Sequence, residues 1–185
     1  MERVLSDPGH AALFERLKDA SQYVPLPGFT DDDGFAILDD VYVGQTAEAV
    51  SFISSNPEWG SFRLAVPRRG LIDTGAQGCT ITPALADYLD LKPVPGTEIV
   101  RVRQQMVDGS SGGYVTACPT GITLGGVYYR KVDAPPILVP VRDAEDNNRY
   151  EILIGCEILK DCTLIYDGLF EGEFTLYVPR NIPPG

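Results

Sequence analysis

The sequence predicts a mainly β domain with a few short helices, preceded by an N-terminal extension. Three observations predict it. Short segments rich in β-branched and aromatic residues recur along the chain, cut by glycine and proline. Helical periodicity is confined to brief stretches. The chain's 185 residues, 44% of them hydrophobic, suffice for one core without metals or disulfides.

In the extension, residues 1–34, Ala11, Leu13, Phe14, Leu17 and Ala20 recur at helical spacing and predict a short amphipathic helix near 9–20. Such a helix packs on the main body, or else serves as a removable pro-segment or a partner contact. Pro25-Leu26-Pro27-Gly28, followed by Asp31-Asp32-Asp33-Gly34, has the composition of a linker or turn. The domain proper is expected over 35–180, with its motif-bearing core at about 60–178 and a tail at 181–185. A strand at 35–43 ends at Gly44. A short helix follows at 46–55, with Thr46 as N-cap, and Asn56-Pro57 breaks it. Residues 61–66 alternate apolar and polar, as a half-buried strand does. Thr82 before Pro83 marks the start of a helix at 83–89. Strands are expected at 79–81, 98–107, 114–118, 121–124, 127–133 and 137–141, then a polar loop at 143–148. A buried strand at 150–154 stops at Gly155, and a single helical turn follows at 157–160. A hairpin of 163–166 with 173–178 turns around Asp167-Gly168. No internal repeat is visible.

Charge and composition narrow the function. Fifteen basic and 26 acidic side chains give a net charge of -11. Nucleic acids and anionic membranes attract basic surfaces, so neither is expected as a partner. His10 is the single histidine, which excludes a multi-histidine metal site within one chain. Neither a metal nor a cofactor is expected. No run approaches the roughly 20 apolar residues of a membrane span. The N-terminus turns polar at once, without the pattern of a signal peptide, and a cytoplasmic location is expected. Cys79, Cys118, Cys156 and Cys162 lack zinc-ligand spacing, and reduced buried thiols are expected of them rather than disulfides.

Three segments carry chemistry. The first is Leu71-Ile72-Asp73-Thr74-Gly75-Ala76, an apolar strand running into an acid, a small hydroxyl residue and a glycine. Taken alone, this is also how ordinary strands end, since Asp and Thr favour turns and Gly permits them. An Asp-Thr-Gly tripeptide arises by chance in roughly one chain in thirty. The second is Glu151-Ile152-Leu153-Ile154-Gly155, a buried strand whose glycine admits close backbone approach. The third is 106–115, two strand-like flanks around Gly109, Ser110, Ser111, Gly112, Gly113 and Tyr114. That tip is a mobile hairpin loop or a lid over a cleft. It lacks the Gly-Lys-Ser/Thr ending of a phosphate cradle.

In this order the segments resemble the retropepsin family of aspartic proteases. The matching pieces are Asp-Thr-Gly-Ala at 73–76, Gly-Gly-Tyr-Val at 112–115 and Ile-Leu-Ile-Gly at 152–155. The resemblance spans roughly 60–178, and the helix at 83–89 with the hairpin at 122–130 looks more like cellular or bacterial members than compact viral ones. It implies a closed acid-protease barrel and an aspartic endopeptidase. Two aspartates share one proton across a two-fold axis, because two like charges about 3 Å apart do not both ionise cheaply; aspartic proteases are the standard instance of that effect. The ionised carboxylate draws a proton from water, the water attacks the peptide carbonyl, and the protonated carboxyl donates to the developing oxyanion.

This chain has one such motif; the Asp-Gly pairs at 33–34, 108–109 and 167–168 lack the intervening Thr or Ser. The resemblance therefore implies a C2 homodimer with two copies of Asp73, acting on a peptide or protein substrate. Thr74 then joins the two loops through hydroxyl hydrogen bonds. Gly75, with Ala76 behind it, lets backbone amides approach the carboxylates and the substrate. Residues 109–114 form the substrate-binding flap. Ile154 and Gly155 pack against the loop. Segment 173–178 adds strands to an interfacial sheet. Viral members often carry an acid after Asp-Thr-Gly-Ala and an arginine after the downstream Ile-Gly; here those positions are Gln77 and Cys156. Losing both halves of an ion pair strands no charge. The same packing brings Cys79 near Cys156, and a redox switch on dimerisation is a hypothesis. Two other functions stay open: an inactive dimerisation or peptide-binding module of the same fold, and a β-barrel binder of a small ligand.

Overall fold

The computed structural model describes residues 8–44, 49, 52, 55–56, 65–91, 115–118, 121–125, 127–129, 137–140, 150–166 and 172–180. The strand expected at 98–107, the glycine-rich tip at 109–114, the polar loop at 143–148, the turn at 167–168 and the tail at 181–185 lie outside the described residues.

The mainly β architecture is borne out. Helix α1 (Pro8–Leu17) leads into β1 (Tyr23–Thr30) and β2 (Ala36–Gly44). Ala49, Phe52 and Ser55 are helical, within the stretch expected as a helix, and Asn56 Nδ2 donates to Phe52 O at 2.8 Å. Next come β3 (Ala65–Ile72), β4 (Thr80–Ile81) and α2 (Pro83–Tyr88). Thr82 caps α2 as its sequence predicts: Oγ1 accepts from Leu85 N at 3.3 Å, and Pro83 fills a position whose N–H has no helical partner. Strands β5 (Val115–Cys118), β6 (Gly121–Leu124), β7 (Val127–Tyr129) and β8 (Ile137–Pro140) follow. The chain then forms β9 (Ile152–Ile154), α3 (Cys156–Leu159), β10 (Thr163–Tyr166) and β11 (Glu173–Pro179).

Among the described residues, eleven strands join one sheet in the order β10-β11-β1-β2-β3-β9-β4-β8-β5, with the β6–β7 hairpin branching from β2. The expected closed barrel is not what the described strands form, since this path runs open from β10 to β5. The reason lies in β2. One of its edges pairs with β3, through a bulge between Leu38 and Val41. Its other edge is divided, taking β1 at Ala36 and Ile37 and β6 at Tyr42–Gly44. Two different strands share that edge, so the sheet divides at β2. A groove of about 740 Å³ occupies the fork, between β1, β2, β11 and the β6–β7 turn.

Pro25-Leu26-Pro27-Gly28 is not a linker but the middle of β1, paired antiparallel with β11 from Tyr23↔Pro179 to Phe29↔Glu173. Just outside this ladder, Arg180 N donates to Gln22 O at 2.8 Å and Thr30 N donates to Gly172 O. Both bonds fall on even-numbered residues of the first segment, and a strand's polar groups alternate between its two edges. Val24, Leu26 and Gly28 therefore carry the ladder. Pro25 and Pro27 turn their nitrogens to the opposite edge, where, among the described residues, β2 joins only at Phe29 and Thr30. A missing N–H costs nothing on an unpaired edge.

The core gathers residues from both ends of the chain. Phe174, Leu176 and Val178 of β11 are buried at alternate positions, beside Leu38, Val41 and Val43 of β2. Ile152 and Ile154 are wholly buried, each contributing about 1.5–3 kcal/mol by burial. No helix among the described residues is long and apolar enough to cross a membrane.

Candidate active site

The site begins where two buried strands run out side by side. β3 and β9 pair in parallel, Gly70↔Ile152, Leu71↔Leu153 and Ile72↔Ile154. The paired residues, Gly70-Leu71-Ile72 and Ile152-Leu153-Ile154, carry no charged side chain, as befits a parallel pair at the core. Asp73 continues the ladder by one bond, its N–H donating to Ile154 O at 3.0 Å. The chain then turns. Ala76 N donates to Asp73 O at 3.3 Å, and Gly75 N donates to Asp73 Oδ1 at 2.8 Å. The carboxylate is thus held by its own loop, half-buried, while Thr74 and Gly75 beside it are exposed. No ion pair among the described residues engages it.

The second strand end locks onto that turn. α3 starts at Gly155, which has no side chain to cap the helix's first N–H groups. The loop's carbonyls take that role: Cys156 N donates to Ala76 O and Glu157 N to Gln77 O, both at 2.8 Å. This needs close backbone contact. A Cβ on Gly155 would run into Gly78 O, with Gly78 C at 2.8 Å and Ala76 O at 2.9 Å. Cys156 Sγ also reaches Thr74 O at 3.1 Å.

The structure therefore brings together Asp73, Thr74, Gly75, Ala76, Ile154 and Gly155. The flap positions, Gly109, Ser110, Ser111, Gly112, Gly113 and Tyr114, fall outside the described residues. Three contributions were not foreseen: Gly78 as the surface that Gly155 meets, the carbonyls of Ala76 and Gln77 as helix caps, and the thiol on Thr74. The second glycine, Gly78, was the one signal for them in the sequence. Cys79, Cys156 and Cys162 are thiols, so Cys79 and Cys156 are not joined in a disulfide. Cys79 is buried; Cys156 and Cys162 are half-buried, less enclosed than expected. No group of residues able to hold a metal ion occurs among the described residues. The groove in the sheet fork is lined by none of the motif residues.

A single carboxylate can serve as a general base or a general acid, one at a time. Known proteins supply the context. The aspartyl protease family model matches residues 64–158, more than half of the chain. The chain belongs to the aspartyl protease family. A retropepsin-like aspartic protease from Rickettsia conorii superposes with a TM-score of 0.51 at 14% identity, over 85% of this chain and 92% of that one. This likeness is one of fold. EIAV protease complexed with the inhibitor HBY-793 gives 0.32 at 22% identity, over 51% and 76% of the two chains. The retroviral protease-like domain of Ddi1 from Leishmania major gives 0.32 at 17%, over 63% and 88%. Among curated proteins none matches.

Proposed function

We propose that this chain is an aspartic endopeptidase, active as a homodimer in which two Asp73 carboxylates activate one water. The observation that carries the proposal is the Asp73 turn: a half-buried carboxylate held by Gly75 N–H at the end of a buried strand pair, with Thr74 and Gly75 exposed next to it. One motif per chain supplies one carboxylate, so the second comes from a second copy. The ionised Asp73 takes a proton from water, whose oxygen bonds to the peptide carbonyl carbon. The protonated Asp73 of the other copy donates to the carbonyl oxygen. As the diol collapses and the C–N bond breaks, the first Asp73 gives its proton to the nitrogen and the second regains one from a diol hydroxyl. Thr74 hydroxyls bridge the two loops, Gly75 and Ala76 keep backbone amides near the reacting atoms, and residues 109–114 cover the substrate. An extended peptide fits such a cleft, and a chain of net charge -11 favours neutral or basic ones. Thiols at Cys79, Cys156 and Cys162 suit a reducing compartment such as the cytoplasm.

The interfacial sheet expected from segment 173–178 needs revision. β11 has both edges engaged within its own chain, by β1 and by β10. We assign the interfacial edge instead to β10, the end of the sheet path. Even residues of β11 face β1, so Leu164 and Tyr166, paired opposite Leu176 and Phe174, turn their N–H groups outward. Tyr166→Pro removes one outward N–H and leaves the ladder to β11 intact. Sedimentation velocity is expected to show a dimer for the wild type and a raised dissociation constant for this variant. A variant that dimerises as tightly as the wild type places the interface elsewhere. Mass spectrometry of peptide mixtures incubated with the wild type, between about pH 4 and 7, tests cleavage itself.

A further inference from the structure

Asp73, Thr74, Gly75 and Ala76 form a four-residue turn closed by Ala76 N–H on Asp73 O. Its central peptide joins Thr74 to Gly75, and that peptide is held at both ends. Its N–H, on Gly75, donates to Asp73 Oδ1 at 2.8 Å. Its C=O, on Thr74, accepts from Cys156 Sγ at 3.1 Å, across 82 positions of sequence. A trans peptide is a rigid plane whose N–H and C=O point in opposite directions. The thiol and the carboxylate are therefore coupled through one stiff unit. The contact is short for sulfur: Cys162 Sγ lies 3.6 Å from Ile158 O, one helical turn back in the same chain.

Turns of this size exist in two states related by a flip of the central peptide. One of them demands φ near about +80° at the third residue, where glycine alone is unstrained. The third residue here is Gly75, and it is not among the described residues with positive φ. The turn thus occupies the other state, while the flipped one stays sterically open to it. A flip takes the N–H off Asp73 Oδ1 and the carbonyl off Cys156 Sγ together. The backbone amides of Cys156 and Glu157 hold Ala76 O and Gln77 O, beyond the central peptide. They do not prevent the flip.

We infer that Cys156 is a positioning residue: by holding Thr74 O, its thiol locks the central peptide of the turn and so fixes the Asp73 carboxylate. The kinetic consequence rests on the proposed protease activity. The test compares Cys156→Ala, which removes the donor, with Cys156→Ser, which restores one. For Cys156→Ala, kcat is expected to fall about three- to tenfold, the scale of one lost hydrogen bond, with KM unchanged. Cys156→Ser recovers most of that loss. Amide hydrogen exchange at Gly75 speeds up in the Ala variant and not in the Ser variant. Wild-type kcat in Cys156→Ala, equal losses in both variants, or a loss confined to KM overturns the inference. Should the wild type cleave no peptide, the protease function falls separately. Exchange at Gly75 then decides alone: faster in Cys156→Ala only, the lock stands; unchanged, it falls.

Discussion

Replacing Asp73 with Asn is expected to remove peptide hydrolysis and leave the fold as it is. Oδ1 of an asparagine accepts the Gly75 N–H as the carboxylate does at 2.8 Å. No ion pair to Asp73 occurs among the described residues, so the change strands no charge there. Stability in urea should shift by less than about 1 kcal/mol. What disappears is proton transfer, because an amide neither takes nor gives a proton in the working pH range. A single acid–base group contributes about 10²–10⁴ in rate. In the proposed site both groups are Asp73, so a loss of at least about 10⁴-fold is expected. Mixing the variant with the wild type separates a shared site from an independent one. At fixed total protein, activity should follow the square of the wild-type fraction, falling to about one quarter in an equal mixture of freely exchanging chains. A fall to one half, in proportion to the fraction, means that each chain works alone. Full activity of Asp73→Asn means that the carboxylate does not do the chemistry.

The motif loop was legible because its chemistry is concentrated in adjacent residues. Leu71-Ile72 announces a buried strand, Asp73-Thr74-Gly75 its turn, and Gly155 a close approach; the β3–β9 ladder confirms the strands and the contact. Local patterns also placed α2 with its Thr82 cap, and the β10–β11 hairpin. The larger misses are long-range. Nothing near residue 25 reveals that its partner is Tyr177, and two prolines in four residues have the composition of a linker. The period of the prolines held the hidden clue: two positions apart, they share one edge of a strand and leave the other free to pair. The fork in the sheet was equally invisible. It depends on β1 and β6 dividing one edge of β2 at the Leu38–Val41 bulge, a matter of three segments meeting. The 82-residue reach from Cys156 to Thr74 belongs to the same kind. The sequence resemblance located the loop without saying which atoms hold it.

Gly155→Ala is the second large effect, and here the backbone conformation is not the cause. Gly155 sits at φ -95° and ψ -178°, which alanine adopts freely. The obstacle is space. The new Cβ would meet Gly78 O, with Gly78 C at 2.8 Å and Ala76 O at 2.9 Å, and all three are backbone atoms that no rotamer change can move. Relief requires α3 and the 76–78 segment to separate, and the bonds from Cys156 N to Ala76 O and Glu157 N to Gln77 O span that gap. Overpacking together with one weakened bond is expected to cost about 2–4 kcal/mol in urea denaturation. Activity should fall further than stability, because the loop that shifts is the one carrying Asp73. Gly75→Ala offers the contrast. Its Cβ would meet only Asp73 Oδ1, at 3.2 Å. It should therefore disturb the carboxylate while costing about 1 kcal/mol or less. If Gly155→Ala proved as stable as Gly75→Ala, the two loops would not be pressed together, and the support given to Asp73 would have to come from elsewhere in the fold.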